Sequence, residues 1–195
     1  MNVDVSEEPI TALAEYGRIP IAFEVSRVFD VTVHDGEFKL SERILKAPYI
    51  KDYDASDGDR PQQWSRRFDL SNWGLFTARL ENKRVGGAAV AFNTANVTML
   101  ENRRNLAVLW DIRVFPDARG QRIGSALFRT AEAWATAKGC RELKVETQNV
   151  NVPACRFYAK QGCRLRTVHQ FAYPGLPDEV QLLWYKNLSG SATNR

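Results

Sequence analysis

A chain of 195 residues with 44% hydrophobic and 26% charged side chains is long enough for one domain with a sizeable core, and its composition is that of an ordinary globular protein. It holds no apolar run of the roughly 18 residues a membrane span needs, and the acidic segment from Met1 to Glu8 lacks a signal-peptide core, so a cytoplasmic protein is expected. The net charge of +4 is unevenly spread: residues 1–60 carry thirteen acidic and seven basic side chains, a balance of −6, and residues 61–195 carry +10. In chain order, residues 1–20 read as a loose lead-in. Residues 21–34 are β-rich, with Val28-Phe29-Asp30-Val31-Thr32-Val33 the clearest strand, and Asp35-Gly36 reads as a turn. Residues 38–45 fit a strand or a helix equally well. Residues 51–63 are a polar loop holding Asp52, Asp54, Asp57 and Asp59, and a short helix is expected over 61–68.

Residues 73–80 and 85–92 flank a turn at 81–84 and predict an antiparallel hairpin, followed by a long loop over 93–105. The strand predicted over 106–115 places Leu106, Val108, Trp110, Ile112 and Val114 on one face and Asp111 on the other. A helix over 121–138 has Ile123, Leu127, Ala131 and Trp134 at core spacing and ends at Gly139. A strand over 142–147 leads to a helix over 152–161 with Pro153 in its first turn. Two strands over 165–173 and 179–188 close the sheet, and the tail 189–195 is expected to be disordered. The domain therefore spans 21–188, between the lead-in and the tail.

The basic side chains are dispersed, without the dense cluster or aromatic signature of a nucleic-acid binder. They suit an anionic cofactor, while the acidic first part suits a cationic substrate. Cys140, Cys155 and Cys163 are odd in number and lack CxxC spacing, as reduced thiols would be. With only His34 and His169 besides, no metal site is expected.

Two stretches carry the chemistry. Residues 109–125 run from an apolar strand through Pro116-Asp117 into Arg119, Gly120, Gln121, Arg122, Ile123, Gly124 and Ser125, where a helix begins. Unpaired N–H groups and the positive end of the dipole make such a helix start a site for a diphosphate. Residues 145–163 place Glu146 on a strand and then Asn151, Ala154, Phe157, Tyr158 and Gly162 on a helix and at its end. Ala154, Tyr158 and Gln161 share a helix face, which turns Tyr158 toward a ligand and leaves core packing to Phe157.

At these residues the chain resembles the GNAT superfamily of acetyl-CoA-dependent N-acetyltransferases, whose pyrophosphate loop reads Arg/Gln-x-x-Gly-x-Gly/Ala. Arg119 to Gly124 fill those positions, except that Arg122 stands where the first glycine is usual. A helical backbone with negative φ would accept arginine there. The run Glu146-Thr147-Gln148, the segment Asn151 to Cys155 and Tyr158-Ala159-Lys160 resemble the streptothricin acetyltransferases in particular. So do residues 28–31 and Lys51-Asp52-Tyr53. The resemblance implies a single α/β (α+β) domain: a mixed, mostly antiparallel central sheet, splayed at its centre and flanked by helices.

It also implies acetyl-CoA as co-substrate without a metal. Ile112, Arg113 and Val114 would bind the pantetheine arm through their backbone, and Asn151 would hydrogen-bond it. Tyr158 would protonate the departing sulfur, with Glu146 or Asp111 as the base. Asp52, Asp54 and Glu146 are the candidate contacts to a small cationic amine. The implied activity is N-acetylation of a streptothricin-type antibiotic on its β-lysine moiety by a monomer or homodimer. Acetylation of a polyamine, an amino acid or a protein lysine stays open. So do a non-catalytic acyl-CoA-binding or regulatory domain and, more remotely, a basic nucleic-acid-binding module. Trp64, Trp73, Tyr173 and Trp184 are read as core, with a pocket wall as the alternative.

Overall fold

The computed structural model describes residues 3–55 and 60–188. Asp57 and Asp59 of the acidic loop and the tail 189–195 lie outside the described residues. In chain order the elements are β1 (Asp4–Glu8), α1 (Leu13–Tyr16), β2 (Phe23–His34), β3 (Glu37–Lys51), α2 (Trp64–Arg67), β4 (Gly74–Leu80), β5 (Lys83–Phe92), β6 (Leu106–Val114), α3 (Ile123–Ala137), β7 (Glu142–Gln148), α4 (Val152–Lys160), β8 (Arg164–His169) and β9 (Gln181–Asn187). The fold is α+β, as expected. The chain divides into two compact units: residues 1–21, 52–143 and 187–195 in the first, and 22–51 and 144–186 in the second. Among the described residues no helix is long and apolar enough to cross a membrane.

In the first unit β1, β4, β5 and β6 lie side by side in that order, each antiparallel to its neighbour. Residues 4–16 are therefore not a loose lead-in. β1 is zipped onto β4, and Glu8 accepts from Arg79 and Arg84 at 2.7 Å each. The sequence offered only five residues of alternating character there, too few to separate an edge strand from a polar leader. Glu81 and Asn82, both at positive φ, make the tight turn of the predicted β4–β5 hairpin. The Gly86-Gly87 pair of β5 allows close approach on both sides. A Cβ on Gly86 would fall 3.2 Å from Ile123 and Leu127 of α3, and one on Gly87 would fall 2.7 Å from the Tyr16 ring. α3 seats Ile123, Leu127, Phe128, Ala131 and Ala135 fully in the core, with Trp134 at the margin, its ring edge-on to Phe76 and Phe92. Tyr16, Trp64, Phe68, Trp73 and Trp110 pack as one aromatic cluster with ring centroids 5.2–6.4 Å apart. Trp64 and Trp73 are thus core residues.

The alternation predicted for β6 does not hold along the whole strand. Ala89 opposes Asp111 but Val90 opposes Leu109, so Trp110 is an extra residue in a bulge. Leu106 to Leu109 are all buried, and beyond the bulge Arg113 is buried while Ile112 and Val114 are only partly covered.

In the second unit β7, β9 and β8 are neighbours in that order, with β8 antiparallel to β9. β2 and β3 form a separate long hairpin. Its two-residue turn, Asp35 at φ 52° and Gly36 at φ 80°, is the one the sequence predicts. The undecided segment 38–45 is strand, because that turn fixes a register running back from His34↔Glu37. The hairpin is fastened to the strand end after β7: Phe29 donates to the Asn149 carbonyl at 2.9 Å, and the Asn149 amide donates to the Phe29 carbonyl at 3.1 Å. Val25, Val28 and Val150 form a small core beneath it. Trp184 is buried on β9 and donates its indole N–H to Thr147 at 2.8 Å.

Candidate active site

The strand–turn–helix reading of 109–125 holds in its order. β6 ends at Val114, a single helical turn spans Pro116–Ala118, and α3 begins at Ile123 rather than at 121. Gly120 lies at φ +81°. The expectation for Arg122 was wrong: it sits at φ +62°, in the left-handed region, as the residue preceding α3. An L-residue pays roughly 1–2 kcal/mol there, which explains why a glycine is usual at this position. No side chain caps α3 and its first turn holds no acidic residue. Arg119, Gln121 and Arg122 are exposed around it. An uncapped, acid-free start of a fifteen-residue helix ringed by two guanidinium groups fits a diphosphate. Arg119 also donates to the Val114 carbonyl at 3.2 Å, bracing the turn against the strand end.

Arg113 does more than offer backbone. Its guanidinium is the hub of a buried network. It donates to both oxygens of Asp54 at 2.5 and 3.0 Å, twice to one oxygen of Asp111 at 2.7 and 2.8 Å, and to the Ile19 carbonyl at 3.2 Å. The side chains of Arg113 and Asp111 are 2% and 6% exposed, and the guanidinium lies 5.5 Å from the centre of the Tyr16 ring. Burial pushes the Asp111 carboxyl above the usual carboxylate range, against the opposing charge of Arg113 and the hydroxyl of Tyr16. Burial alone would lower Arg113, but the Asp111 charge and hydrogen bonds to both carboxylates outweigh it and hold the guanidinium protonated. Asp54, a candidate substrate contact, is thus committed to Arg113. Asp52 is exposed and accepts the Asp54 N–H at 2.9 Å in a local turn. Tyr16, absent from the sequence reading, enters because Gly87 leaves room for its ring.

In the second unit Asn151 caps α4, its Oδ1 accepting the Ala154 N–H at 3.1 Å. Tyr158 is buried and Phe157 only partly so, the reverse of the predicted division, with the rings edge-on at 5.2 Å. Tyr158 remains on the same helix face as Ala154. Glu146 is half-buried on β7 and accepts a 2.6 Å hydrogen bond from the Tyr173 hydroxyl. Tyr173 is therefore a partner of a candidate base; the strand expected over 165–173 ends at His169, so Tyr173 lies in the loop that follows β8 rather than on a strand. Cys155 beneath them is a free thiol pushed up to about 11 by burial, and so a packing residue.

The model of the Acetyltransferase (GNAT) family matches residues 41–163, and the chain belongs to that family and is an acyltransferase. It is 32% identical to the streptothricin acetyltransferase of Escherichia coli over 84% of both chains. It is 27% identical to streptothricin acetyltransferase A of Bacillus subtilis (strain 168) over 95% of this chain and 94% of the relative. A crystal structure from Bacillus anthracis str. Ames, solved in complex with acetyl coenzyme A, has the same fold. Its TM-score is 0.77 at 24% identity, with 95% of this chain and 99% of that one covered.

Proposed function

We propose that this acyltransferase moves the acetyl group of acetyl-CoA to a primary amine of a streptothricin-type antibiotic, on its β-lysine moiety. The observation that carries the reading is the likeness, across at least 84% of the chain, to proteins that act on streptothricin. In this reading the turn 119–125 holds the diphosphate, through the first-turn N–H groups of α3 and the side chains of Arg119 and Arg122. The backbone of Ile112, Arg113 and Val114 and the amide of Asn151 hold the arm that carries the thioester.

The acetyl thioester supplies an activated carbonyl. The acceptor nitrogen forms the new C–N bond as the C–S bond breaks, one proton leaves the nitrogen and one reaches the sulfur. Tyr158 gives the proton to sulfur. Glu146 rather than Asp111 takes the proton from the amine, because Asp111 is buried and ion-paired with the Arg113 guanidinium, whereas Glu146 is only half-buried and accepts from a hydroxyl, that of Tyr173. Asp111 and Asp54 then serve to keep Arg113, and with it the end of β6, in place.

The test is thiol release from acetyl-CoA by the purified protein with streptothricin, spermidine, free lysine and a lysine peptide. Turnover is expected with streptothricin at a kcat/KM well above the other three. Turnover of spermidine or the peptide with none of streptothricin would overturn the reading.

A further inference from the structure

The second unit contains a cleft of about 1060 Å³ whose walls come from the β2–β3 hairpin and from residues 168–180. Its charged lining is three carboxylates, Asp30, Asp178 and Glu179, and one guanidinium, Arg43. Arg43 is spent on Asp30, donating from Nε and Nη2 at 2.9 and 3.0 Å. The carboxylates of the lining that are not bonded to Arg43 are Asp178 and Glu179. Asp178 is exposed at the rim. Glu179 is different: its side chain is 8% exposed, its Oε1 receives the Lys51 ammonium at 2.6 Å, and its buried Oε2 has no hydrogen-bond partner among the described residues. A buried carboxylate oxygen without a donor is costly, and a ligand that brings one removes that cost. Tyr49, 41% exposed as a residue, lines the same cleft. Burial, then the charges of Glu179 and Asp178, raise its phenol above the ordinary tyrosine value, which places all three groups within electrostatic reach of one another. An aromatic face beside two carboxylates is a setting for an organic cation.

We infer that this cleft binds a cationic group of the acceptor other than the amine that is acetylated, with an ammonium or guanidinium N–H donating to Glu179 Oε2 and held by Asp178 and the Tyr49 ring. The inference rests on the proposed acetylation of an antibiotic amine and narrows it: the acceptor class is a multiply charged amine, and a monoamine would leave the cleft unused. The sequence-stretch charge balance did not point here, because Asp178 and Glu179 belong to the basic part of the chain.

The experiment is calorimetric titration of streptothricin into the full-length protein and its Asp178→Asn and Glu179→Gln variants, with acetylation kinetics for streptothricin and n-butylamine alongside. A hydrogen bond to a charged group converts to a Kd higher by roughly 10- to 100-fold in Glu179→Gln. An exposed charge converts to about 2- to 5-fold in Asp178→Asn. The KM for n-butylamine should not move. Because Asp178 is exposed, Asp178→Asn decides the matter if thermal melting finds Glu179→Gln unfolded. Equal streptothricin affinity in the wild type and in the folded variants overturns the inference. Acetylation of streptothricin with an unchanged KM in the variants leaves the proposed function standing without the cleft. Variant-sensitive binding without product leaves the cleft standing without the function.

Discussion

Removing the cation at the centre of the Arg113 network gives the sharpest test of how the end of β6 is held. Arg113→Met keeps much of the aliphatic stem and deletes a guanidinium that is 2% exposed and bonded to Asp54, Asp111 and the Ile19 carbonyl. Breaking a buried ion pair from one side costs about 3–5 kcal/mol, because the abandoned charge stays buried. Against a total stability of about 5–15 kcal/mol, that is a large fraction. Asp111, with a side chain 6% exposed, supplies the abandoned charge. Its folded-state pKa is already raised, so the fold is favoured while the carboxyl keeps its proton and loses that advantage as pH rises through the folded value. Without Arg113 the value rises further. The deficit of Arg113→Met, measured by chemical denaturation against the wild type, should therefore be larger at about pH 7.5 than at about pH 5. A lost packing contact has no such dependence. A deficit below about 1 kcal/mol, or one of equal size at both pH values, would refute the charge argument.

Arg122→Gly should stabilise the fold by up to about 1 kcal/mol, since the residue sits at φ +62°. It should weaken acetyl-CoA binding in calorimetry, and tighter binding would remove Arg122 from the diphosphate site. Glu8 is held below its usual 4.5: burial would raise it, but Arg84 and Arg79 prevail. The stability it contributes is present above 4.5 and lost as pH falls through the lowered value, so Glu8→Gln should flatten the acid limb of a Tm–pH profile. Tyr158→Phe should leave acetyl-CoA affinity intact while slowing single-turnover acetylation by about 10²–10⁴-fold, and a wild-type rate would make Tyr158 a packing residue.

What the sequence made legible is local. The turn after β6, the helix start that follows it and the Asp35-Gly36 hairpin each lie within a few consecutive residues whose chemistry dictates their geometry. What it hid is set by contacts distant in sequence. Arg113 meets Asp54 across 59 positions, and Lys51 meets Glu179 across 128. Tyr16 finds its place only because Gly87 of β5 has no side chain. The φ of Arg122 was misjudged because a helix-like pattern extends back to residue 121, whereas the chain must turn sharply before α3 can pack on Gly86. The exchange of roles between Phe157 and Tyr158 has the same origin: helical spacing relates side chains to one another but does not say which face the core takes.

The acidic balance of residues 1–60 is the instructive case. Four of its carboxylates are spent on guanidinium groups within the fold: Glu8 on Arg79 and Arg84, Asp30 on Arg43, Glu42 on Arg27 and Arg156, Asp54 on Arg113. A segment's net charge therefore says little about where a cation would be attracted, because the field at a given point is set by the groups left without a counter-charge nearby. In the cleft the acidic groups beside the Asp30–Arg43 pair are Asp178 and Glu179, the latter paired with Lys51 through Oε1 while its Oε2 has no donor among the described residues, and both come from the part of the chain whose overall balance is positive. Dispersed arginines that neutralise acids elsewhere do not screen a carboxylate oxygen that is buried and unpaired, so selectivity for a cationic acceptor is compatible with a protein whose net charge is +4.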